Sequence, residues 1–123
     1  MLLVARERQR SIVYESVAAG GCLVARDGGK IAGFLTWDRG FFGRPFVRLL
    51  VIAPARRRRG LGRALVAAAE REAARYGELF VSTEQINAPM RALLAQLGYA
   101  PSGSIDNINA PGNRELVYHK RLA

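Results

Sequence analysis

The sequence predicts an α/β protein of the α+β kind, with one mixed, mostly antiparallel sheet, helices on both faces and a central parallel βαβ unit over residues 46–84. The almost entirely apolar run Phe46–Ala53 is typical of a strand buried on both faces. A helical pattern and a second apolar run follow it, and the two strands of such a unit pair in parallel. The turn signal Asp27–Lys30 joins two earlier runs into an antiparallel hairpin.

Composition limits the class of protein. The 123 residues suit a single domain, residues 1–123, and 50% hydrophobic with 24% charged residues is ordinary for a globular chain. No apolar stretch approaches the roughly 20 residues that a membrane helix needs. Cys22 is the only cysteine, so we expect no disulfide, no metal site and a small buried apolar role for its side chain. The charged N-terminus is unlike a signal peptide, so we expect a cytoplasmic protein.

The charge balance is strongly basic. Nineteen Lys and Arg residues stand against ten Asp and Glu residues, which gives a net charge of +9. Only Lys30 and Lys120 are lysines, and the other basic residues are arginines. This excess indicates an anionic partner: a nucleic acid, an anionic lipid or a phosphorylated ligand.

The chain before the central unit predicts one helix and the hairpin. Apolar positions at helical spacing predict a helix over Ala5–Ala19, which a Gly-Gly pair ends. Two β-rich runs, Cys22–Arg26 and Ile31–Trp37, flank the turn signal as strands. The segment Arg39–Pro45, which contains Phe41 and Phe42, predicts a loop.

The central helix is predicted from about Gly62 to Tyr76. Pro54 ends the strand before it, its apolar residues share one arc, and Gly77 stands at its C-terminal cap. Leu79–Glu84 is the next strand.

The C-terminal part predicts one more helix and two strands. Asn87 opens the helix, Pro89 stands in its first turn, where a missing N–H costs nothing, and Gly98 ends it. The predicted buried face of this helix comprises Met90, Leu93, Leu94 and Leu97. The strands are Ser102–Ile105 and Leu116–Leu122, separated by the loop Asp106–Arg114.

The segment between the central strand and its helix carries the chemistry. Four consecutive arginines, Arg56–Arg59, precede Gly60 and Gly62 at the start of the helix. A helix N-terminus presents unpaired N–H groups and positive potential, glycines let phosphates approach the backbone, and arginines add charged donors. Together they predict an anion cradle, most naturally for a pyrophosphate.

Two well-known phosphate loops do not match this segment. A Walker A loop ends in Gly-Lys-Ser/Thr, whereas Arg63 follows Gly62 here. A Rossmann fingerprint needs a third glycine where Leu65 stands, and antiparallel strands come first in this chain.

The segment 46–99 resembles the GNAT superfamily of acyl-CoA-dependent N-acyltransferases. Arg57-Arg58-Arg59-Gly60-Leu61-Gly62 matches the family's (Q/R)-x-x-G-x-(G/A) loop, and Leu50-x-Ile52-x-Pro54 precedes it on the strand. Asn87, Met90 and Gly98-Tyr99 are similar to the family's N-x-x-A-x(7)-G-(F/Y) helix. Over the flanking strands only the order of elements agrees.

The resemblance implies an N-acetyltransferase that moves the acetyl group of acetyl-CoA to a primary amine by direct attack in a ternary complex. The two parallel strands would splay to hold the cofactor, and the backbone N–H of Ile52 would polarise the acetyl carbonyl and stabilise the oxyanion. Backbone amides of about Arg58 to Arg63 would hold the pyrophosphate, and Arg56, Arg57 or Arg58 could add charge, including to the 3′-phosphate. The implied cofactor-binding residues are Leu50, Ile52, Arg57, Arg58, Arg59, Gly60, Leu61, Gly62, Arg63 and Asn87.

The sequence departs from the family at both usual acid–base positions. Leu94 stands where a tyrosine commonly acts as general acid, and Ser82 stands at a common position of the glutamate base. Glu84 lies on the same strand face as Ser82 and is the candidate base. Other titratable candidates are Tyr99, Tyr118 and His119.

The acceptor side is predicted less closely. Asp38 could hold an amine and the Phe41–Phe42 pair an apolar group, with a hydrophobic plug beneath a hairpin as the alternative for the two rings. The family usually begins with a strand and two helices, whereas this chain has room for one helix before the hairpin. A partner chain that completes the pocket is one explanation, so a homodimer is an expectation.

Two other functions remain open at this stage. A catalytically silent acyl-CoA-binding regulator on the same fold would bind acetyl-CoA without turnover, and the missing tyrosine and glutamate favour it. A basic nucleic-acid-binding module would use the arginines as a phosphate surface, but these cluster at one loop without interleaved aromatic residues. We therefore expect no nucleic-acid or membrane partner.

Overall fold

A computed structural model describes residues 20–57 and 60–123. The predicted helix Ala5–Ala19 and the residues Arg58 and Arg59 lie outside this part of the chain. Within the described residues the strands are β1 (Cys22–Asp27), β2 (Lys30–Phe41), β3 (Arg44–Ile52), β4 (Glu78–Glu84), β5 (Ala100–Asp106) and β6 (Arg114–Arg121). The helices are α1 (Leu61–Ala73) and α2 (Ala88–Gln96), with short 3₁₀ turns at Pro54–Arg56 and Ala74–Tyr76.

The strands form one mixed sheet in the order β1-β2-β3-β4-β6-β5. The β3–β4 pair is parallel, and the other four neighbouring pairs are antiparallel. This arrangement confirms the predicted fold class, including the central βαβ unit in which α1 connects β3 to β4.

The core lies between α1 and one face of the sheet. Leu65, Val66, Ala69 and Ala73 of α1 are buried there against Leu35, Val47, Leu79 and Val81. Leu94 of α2 joins the same cluster and is fully buried. Both described helices therefore pack on the same face of the sheet. The helix predicted over Ala5–Ala19 lies outside the described residues. Cys22, predicted to be buried, is half-buried at the start of the edge strand β1.

The prediction of a loop over Arg39–Pro45 is wrong. The chain forms a hairpin there instead, because β2 runs on to Phe41, β3 starts at Arg44, and these two residues pair. Phe42 and Gly43 form the turn with φ angles of 57° and 69°. Positive φ at both central residues is typical of a type I′ hairpin turn, but phenylalanine is an uncommon residue for it, so the sequence carried no turn signal.

The predicted burial of Phe46–Ala53 on both faces holds only for its start. Phe46 and Val47 are buried, whereas Val51 is 41% exposed. The reason is a β-bulge at Arg48: Trp37 pairs with Val47 and Thr36 with Leu49, so Arg48 is the extra residue between these two pairs. The extra residue reverses the alternation of side chains after it.

Candidate functional site

A gap opens between the parallel strands immediately after the bulge. β3 and β4 pair only at Phe46 with Phe80 and at Val47 with Val81. Beyond these two positions, Arg48–Ile52 and Ser82–Glu84 have no ladder between them. The bulge bends β3 at the point where the pairing stops, which is a common use of bulges beside binding sites. The predicted splay of the two strands is therefore present, and its cause is Arg48.

The backbone of β3 turns two N–H groups toward this gap. The N–H of Ala53 donates to Ala32 O of β2 at 2.8 Å, so it points away from β4. Successive backbone groups of an extended strand point to opposite sides. The N–H groups of Ile52 and Leu50 therefore point toward β4, where the sheet offers them no acceptor. These are the two backbone positions that the sequence predicted for a ligand.

Gly33 of β2 holds this end of β3 in place. It pairs with Ile52, and a Cβ at Gly33 would lie 2.7 Å from the Val51 carbonyl oxygen and 2.6 Å from Ile52 Cδ1. Both distances are shorter than real contacts, so only glycine allows the two strands to approach as they do. Sequence reasoning missed Gly33, since a glycine inside a strand pattern signals a close approach without naming the partner.

The N-terminus of α1 follows the open end of the gap and carries N–H groups that have no acceptor within the helix. The first intrahelical bond runs from Ala64 N–H to Gly60 O at 3.0 Å, so the N–H groups of Leu61, Gly62 and Arg63 have no acceptor within the helix. The first turn, which is described throughout, has no acidic residue and no side-chain cap. Its positive end is thus left for an anion from outside.

The two loop glycines, Gly60 and Gly62, have different structural roles. Gly60 has φ 77°, a left-handed conformation, and a Cβ there would meet nothing within 4 Å. Gly62 has ordinary helical geometry, but its Cβ would lie 3.3 Å from Leu93 Cδ2 of α2. Gly60 therefore serves the shape of the loop, and Gly62 serves the close packing of α1 on α2.

The described arginines of the loop bind protein groups. Arg56 reaches the β1–β2 turn, where its Nη1 is 2.9 Å from Asp27 O and 3.0 Å from Asp27 Oδ2. Arg57 Nε donates to Ile52 O at 3.3 Å, and Arg63 Nη2 donates to Gln96 Oε1 of α2 at 2.8 Å. These contacts order the loop around the cradle while leaving its positive charge in place. The predicted roles of Arg58 and Arg59 lie outside the described residues.

Asn87 caps α2. Its Oδ1 accepts a hydrogen bond from Met90 N–H at 3.2 Å, and its side chain is exposed. The cap occupies the oxygen of the amide group, which leaves the NH₂ as the end that can contact a ligand.

The face of the sheet opposite α1 carries a small, mainly apolar cavity with several polar side chains at the same gap. It has a volume of about 110 Å³, and its polar lining includes Arg48, Ser82, Asn109 and Glu115. Glu115 of β6 pairs in register with Glu84 of β4, the predicted base, but Glu84 does not line the cavity. Burial and the charge of Glu84 raise the pKa of Glu115, and interactions with the Ser82 and Asn109 side chains lower it. The net result is a raised pKa. Sequence reasoning missed Glu115, because strand register brings it to the site.

An aromatic groove adjoins this cavity. It has a volume of about 420 Å³, and its lining includes Phe41, Phe42, Phe46 and Phe80. Phe42 is 86% exposed, so the two predicted rings form an open wall and not a plug beneath a hairpin. Asp38, predicted beside them, lines neither cavity; it is buried, accepts from Gly40 N–H at 2.9 Å and lies 3.5 Å from Arg48 Nη1.

The remaining titratable candidates lie away from the gap. Tyr99 and Tyr118 belong to the buried cluster, and the Tyr99 hydroxyl donates to Glu70 Oε2 at 2.8 Å. Burial and the Glu70 carboxylate raise the pKa of Tyr99 far above its ordinary range. His119 lies 3.0 Å from Glu78 Oε1 and packs against Phe80.

The part of the chain that the structure describes holds neither a metal-binding cluster nor a membrane-crossing helix. No group of three or more His, Cys, Asp and Glu side chains there has an arrangement that could hold a metal ion. None of the helices there has the length and apolar character needed to cross a membrane.

Comparisons with known proteins agree with this geometry. Residues 3–99 match the family model described as Acetyltransferase (GNAT) family. A solved GNAT-family acetyltransferase from Bacillus cereus ATCC 10987 superposes with a TM-score of 0.82 at 27% identity, covering 94% of this chain and 80% of its own. No curated protein has a significant sequence match to the chain.

Two further solved structures share the fold at lower identity. A ribosomal-protein-alanine N-acetyltransferase from Brucella melitensis has a TM-score of 0.75 at 24% identity, covering 94% of this chain and 78% of its own. A Salmonella typhimurium protein assigned as an acetyltransferase, solved with its cofactor acetyl-CoA, has a TM-score of 0.75 at 20% identity, covering 95% and 73%.

Proposed function

We propose, from the premise that the chain belongs to the GNAT acetyltransferase family, that it transfers the acetyl group of acetyl-CoA to a primary amine by direct attack in a ternary complex. The observation that carries the proposal is the gap that the Arg48 bulge opens between β3 and β4. This gap has two backbone donors on one side and an uncapped helix N-terminus at its end. A relative of the same fold was solved with acetyl-CoA, which supports the choice of co-substrate.

The residues at the gap fit the chemical groups of acetyl-CoA. The unpaired N–H groups of Leu61, Gly62 and Arg63 suit a pyrophosphate, and the absence of an acidic residue in that first turn removes repulsion. The backbone of Leu50 and Ile52 suits the amide-bearing pantetheine arm, which would pair with it as a short extra strand. The side-chain NH₂ of Asn87 would contact the same arm.

Acetyl-CoA supplies the thioester from which the acetyl group leaves. The Ile52 N–H would donate to the acetyl oxygen, where negative charge develops during attack by the amine. Binding both reactants side by side supplies a further part of the barrier reduction. Leu94 has no proton to give, so the leaving thiolate takes its proton from solvent.

The acceptor would enter from the opposite face, where Phe41 and Phe42 form one wall. An aromatic groove suits an amine carried on an apolar body, and a net charge of +9 disfavours polycations. We expect 2-phenylethylamine to be acetylated at least about tenfold more efficiently than spermidine, which corresponds to about 1.4 kcal/mol. Coenzyme A release measures both rates, and faster turnover of spermidine contradicts this assignment of the acceptor wall.

A thermal-melt titration tests the co-substrate directly. Acetyl-CoA at a hundred times its dissociation constant adds about 2.7 kcal/mol to the free energy of unfolding, or roughly 10 °C in Tm for a domain of this size. NADH, ATP and a short DNA duplex, which are also anionic, are titrated separately for comparison. A shift with the duplex and none with acetyl-CoA would sink the proposal and favour a nucleic-acid surface.

Gly60→Asp and Gly60→Asn form a matched pair for the cradle. Both side chains tolerate the left-handed backbone better than most and can cap the unpaired N–H groups, so the fold should persist. We expect Asp, which adds a negative charge where the pyrophosphate would lie, to abolish the acetyl-CoA shift, and the neutral Asn to reduce it. An undiminished shift in Gly60→Asp would place the cofactor elsewhere.

A further inference from the structure

We propose that Glu115 of β6 is the general base of this reaction, acting beside Ser82 at the opening between β3 and β4. The inference rests on the proposed acetyl transfer and names a residue for it. Ser82 stands at a common position of the family's glutamate base. The inference accounts for this serine, because Glu115 of the neighbouring strand would supply the carboxylate instead.

The first support is position. Residues of β4 alternate, so that Leu79, Val81 and Thr83 are buried on the α1 side and Ser82 faces the opposite side. Val117 of β6 pairs with Ser82, and Glu115 stands two residues away on the same face. The cavity of about 110 Å³ brings Glu115 and Ser82 together with Arg48, the bulge residue that opens the gap.

The second support is orientation. Asn109 Nδ2, from the β5–β6 connection, donates to Glu115 Oε1 at 2.7 Å. This hydrogen bond holds the carboxylate at the wall of the cavity that Ser82 also lines. A base must be held within hydrogen-bonding reach of the proton that it removes, and a fixed carboxylate meets this requirement.

The third support is the local charge. Glu84 of β4 faces Glu115 from the paired position, and Arg48 of β3 faces the same cavity, while β2 and β5 contribute the apolar Phe41 and Ile105. Burial and the Glu84 charge raise the pKa of Glu115 against the opposing hydrogen bonds. A raised pKa makes the carboxylate a stronger base.

The proposed step moves one proton. The amine nitrogen forms a bond to the acetyl carbon, the carbon–sulfur bond breaks, and the coenzyme A thiolate leaves with the electron pair. The excess proton of the nitrogen passes to the Glu115 carboxylate, directly or through the Ser82 hydroxyl. Water can replace the amine in the same step, which gives slow hydrolysis of acetyl-CoA and an assay that needs no acceptor.

Glu115→Gln tests the role. Glutamine keeps the size of the side chain and the oxygen that accepts from Asn109 but cannot take a proton. We expect coenzyme A release, with water and with 2-phenylethylamine as probes, to fall about 100-fold or more, while the acetyl-CoA melt shift is unchanged. Asp106→Asn, an exposed carboxylate on β5, is the matched control and should keep full activity. Glu84→Gln should lose less than Glu115→Gln.

The pH profile separates a base from a structural carboxylate. A base works when ionised, so the hydrolysis rate of the wild type should rise with pH through the raised pKa of Glu115, and this limb should vanish in Glu115→Gln. A change in folding stability cannot produce the same pH profile. A raised carboxyl pKa in the folded state means that stability falls as pH rises through it, so Glu115→Gln should be at least as stable at neutral pH.

Each outcome decides between the proposals. A melt shift with acetyl-CoA, but an equal loss of turnover in Asp106→Asn or a larger loss in Glu84→Gln, overturns the role of Glu115 alone. A melt shift without turnover of either probe by the wild type overturns it too and leaves a non-catalytic acyl-CoA-binding protein. The absence of a melt shift contradicts the proposed function itself.

Discussion

Replacing Leu94 with alanine is expected to lower the free energy of unfolding by about 3 kcal/mol, within the 2–5 kcal/mol range of leucine truncations in cores. Leu94 is 0% exposed and belongs to the main buried cluster, so the lost atoms leave a cavity that the packed helices cannot close. The corresponding fall in Tm is roughly 12 °C. Thermal or denaturant unfolding measures it.

The Leu94 variant also separates packing from catalysis. Leu94 stands at the position where the family resemblance implies a tyrosine that acts as general acid, but in this chain it is fully buried in the core. We therefore expect turnover per folded molecule, measured well below the transition, to stay within about twofold of the wild type. Leu97→Ala, at the half-buried end of the same helix, is the matched control and should cost less stability. A loss of turnover without a fall in Tm would contradict the packing role.

Replacing Gly33 with valine is expected to cost stability and acetyl-CoA binding together. Valine is a good strand former, so any loss reflects collision and not propensity. Its Cβ would lie 2.7 Å from the Val51 carbonyl oxygen, which is backbone and moves only with the whole of β3. Overpacking of this kind costs up to about 3 kcal/mol. The forced shift displaces the N–H groups of Leu50 and Ile52, so we expect at least a tenfold weaker Kd for acetyl-CoA by calorimetry.

Gly40→Val, in the same strand, is the control for Gly33→Val. The nearest atom to a Cβ at Gly40 is Asp38 Oδ1 at 3.2 Å, which is a side-chain atom at a longer distance and not backbone. We expect this variant to bind acetyl-CoA like the wild type. Equal binding losses at the two positions would mean that the distance between β2 and β3 does not control the gap.

The arginine run illustrates how a sequence feature acquires its meaning. The sequence predicts phosphate contacts for this run, and in the structure the side chains of its described members also contact the protein, Arg56 at Asp27 and Arg57 at Ile52. Among the described residues, the backbone N–H groups of the following helix turn have no acceptor within the helix, so they are the more direct donors to an anion.

The sequence by itself determined the fold class, the order of elements and the position of the cradle. Apolar runs, helical spacing and glycine or proline punctuation are local signals, and each reports the conformation of a few neighbouring residues. The same locality explains why Leu50 and Ile52 could be predicted as cofactor-binding residues, because that prediction follows from their place just before the glycine loop.

Only the tertiary structure decided the parts that depend on strand register. The Arg48 bulge, the close approach at Gly33 and the position of Glu115 beside Ser82 each arise where residues distant in the chain are paired across the sheet. A shift of one residue in register moves every side chain to the other face, and no local pattern fixes that shift. The proposed cofactor contacts can therefore be predicted from the sequence. The proposed base cannot, because β6 reaches the gap only through its pairing with β4.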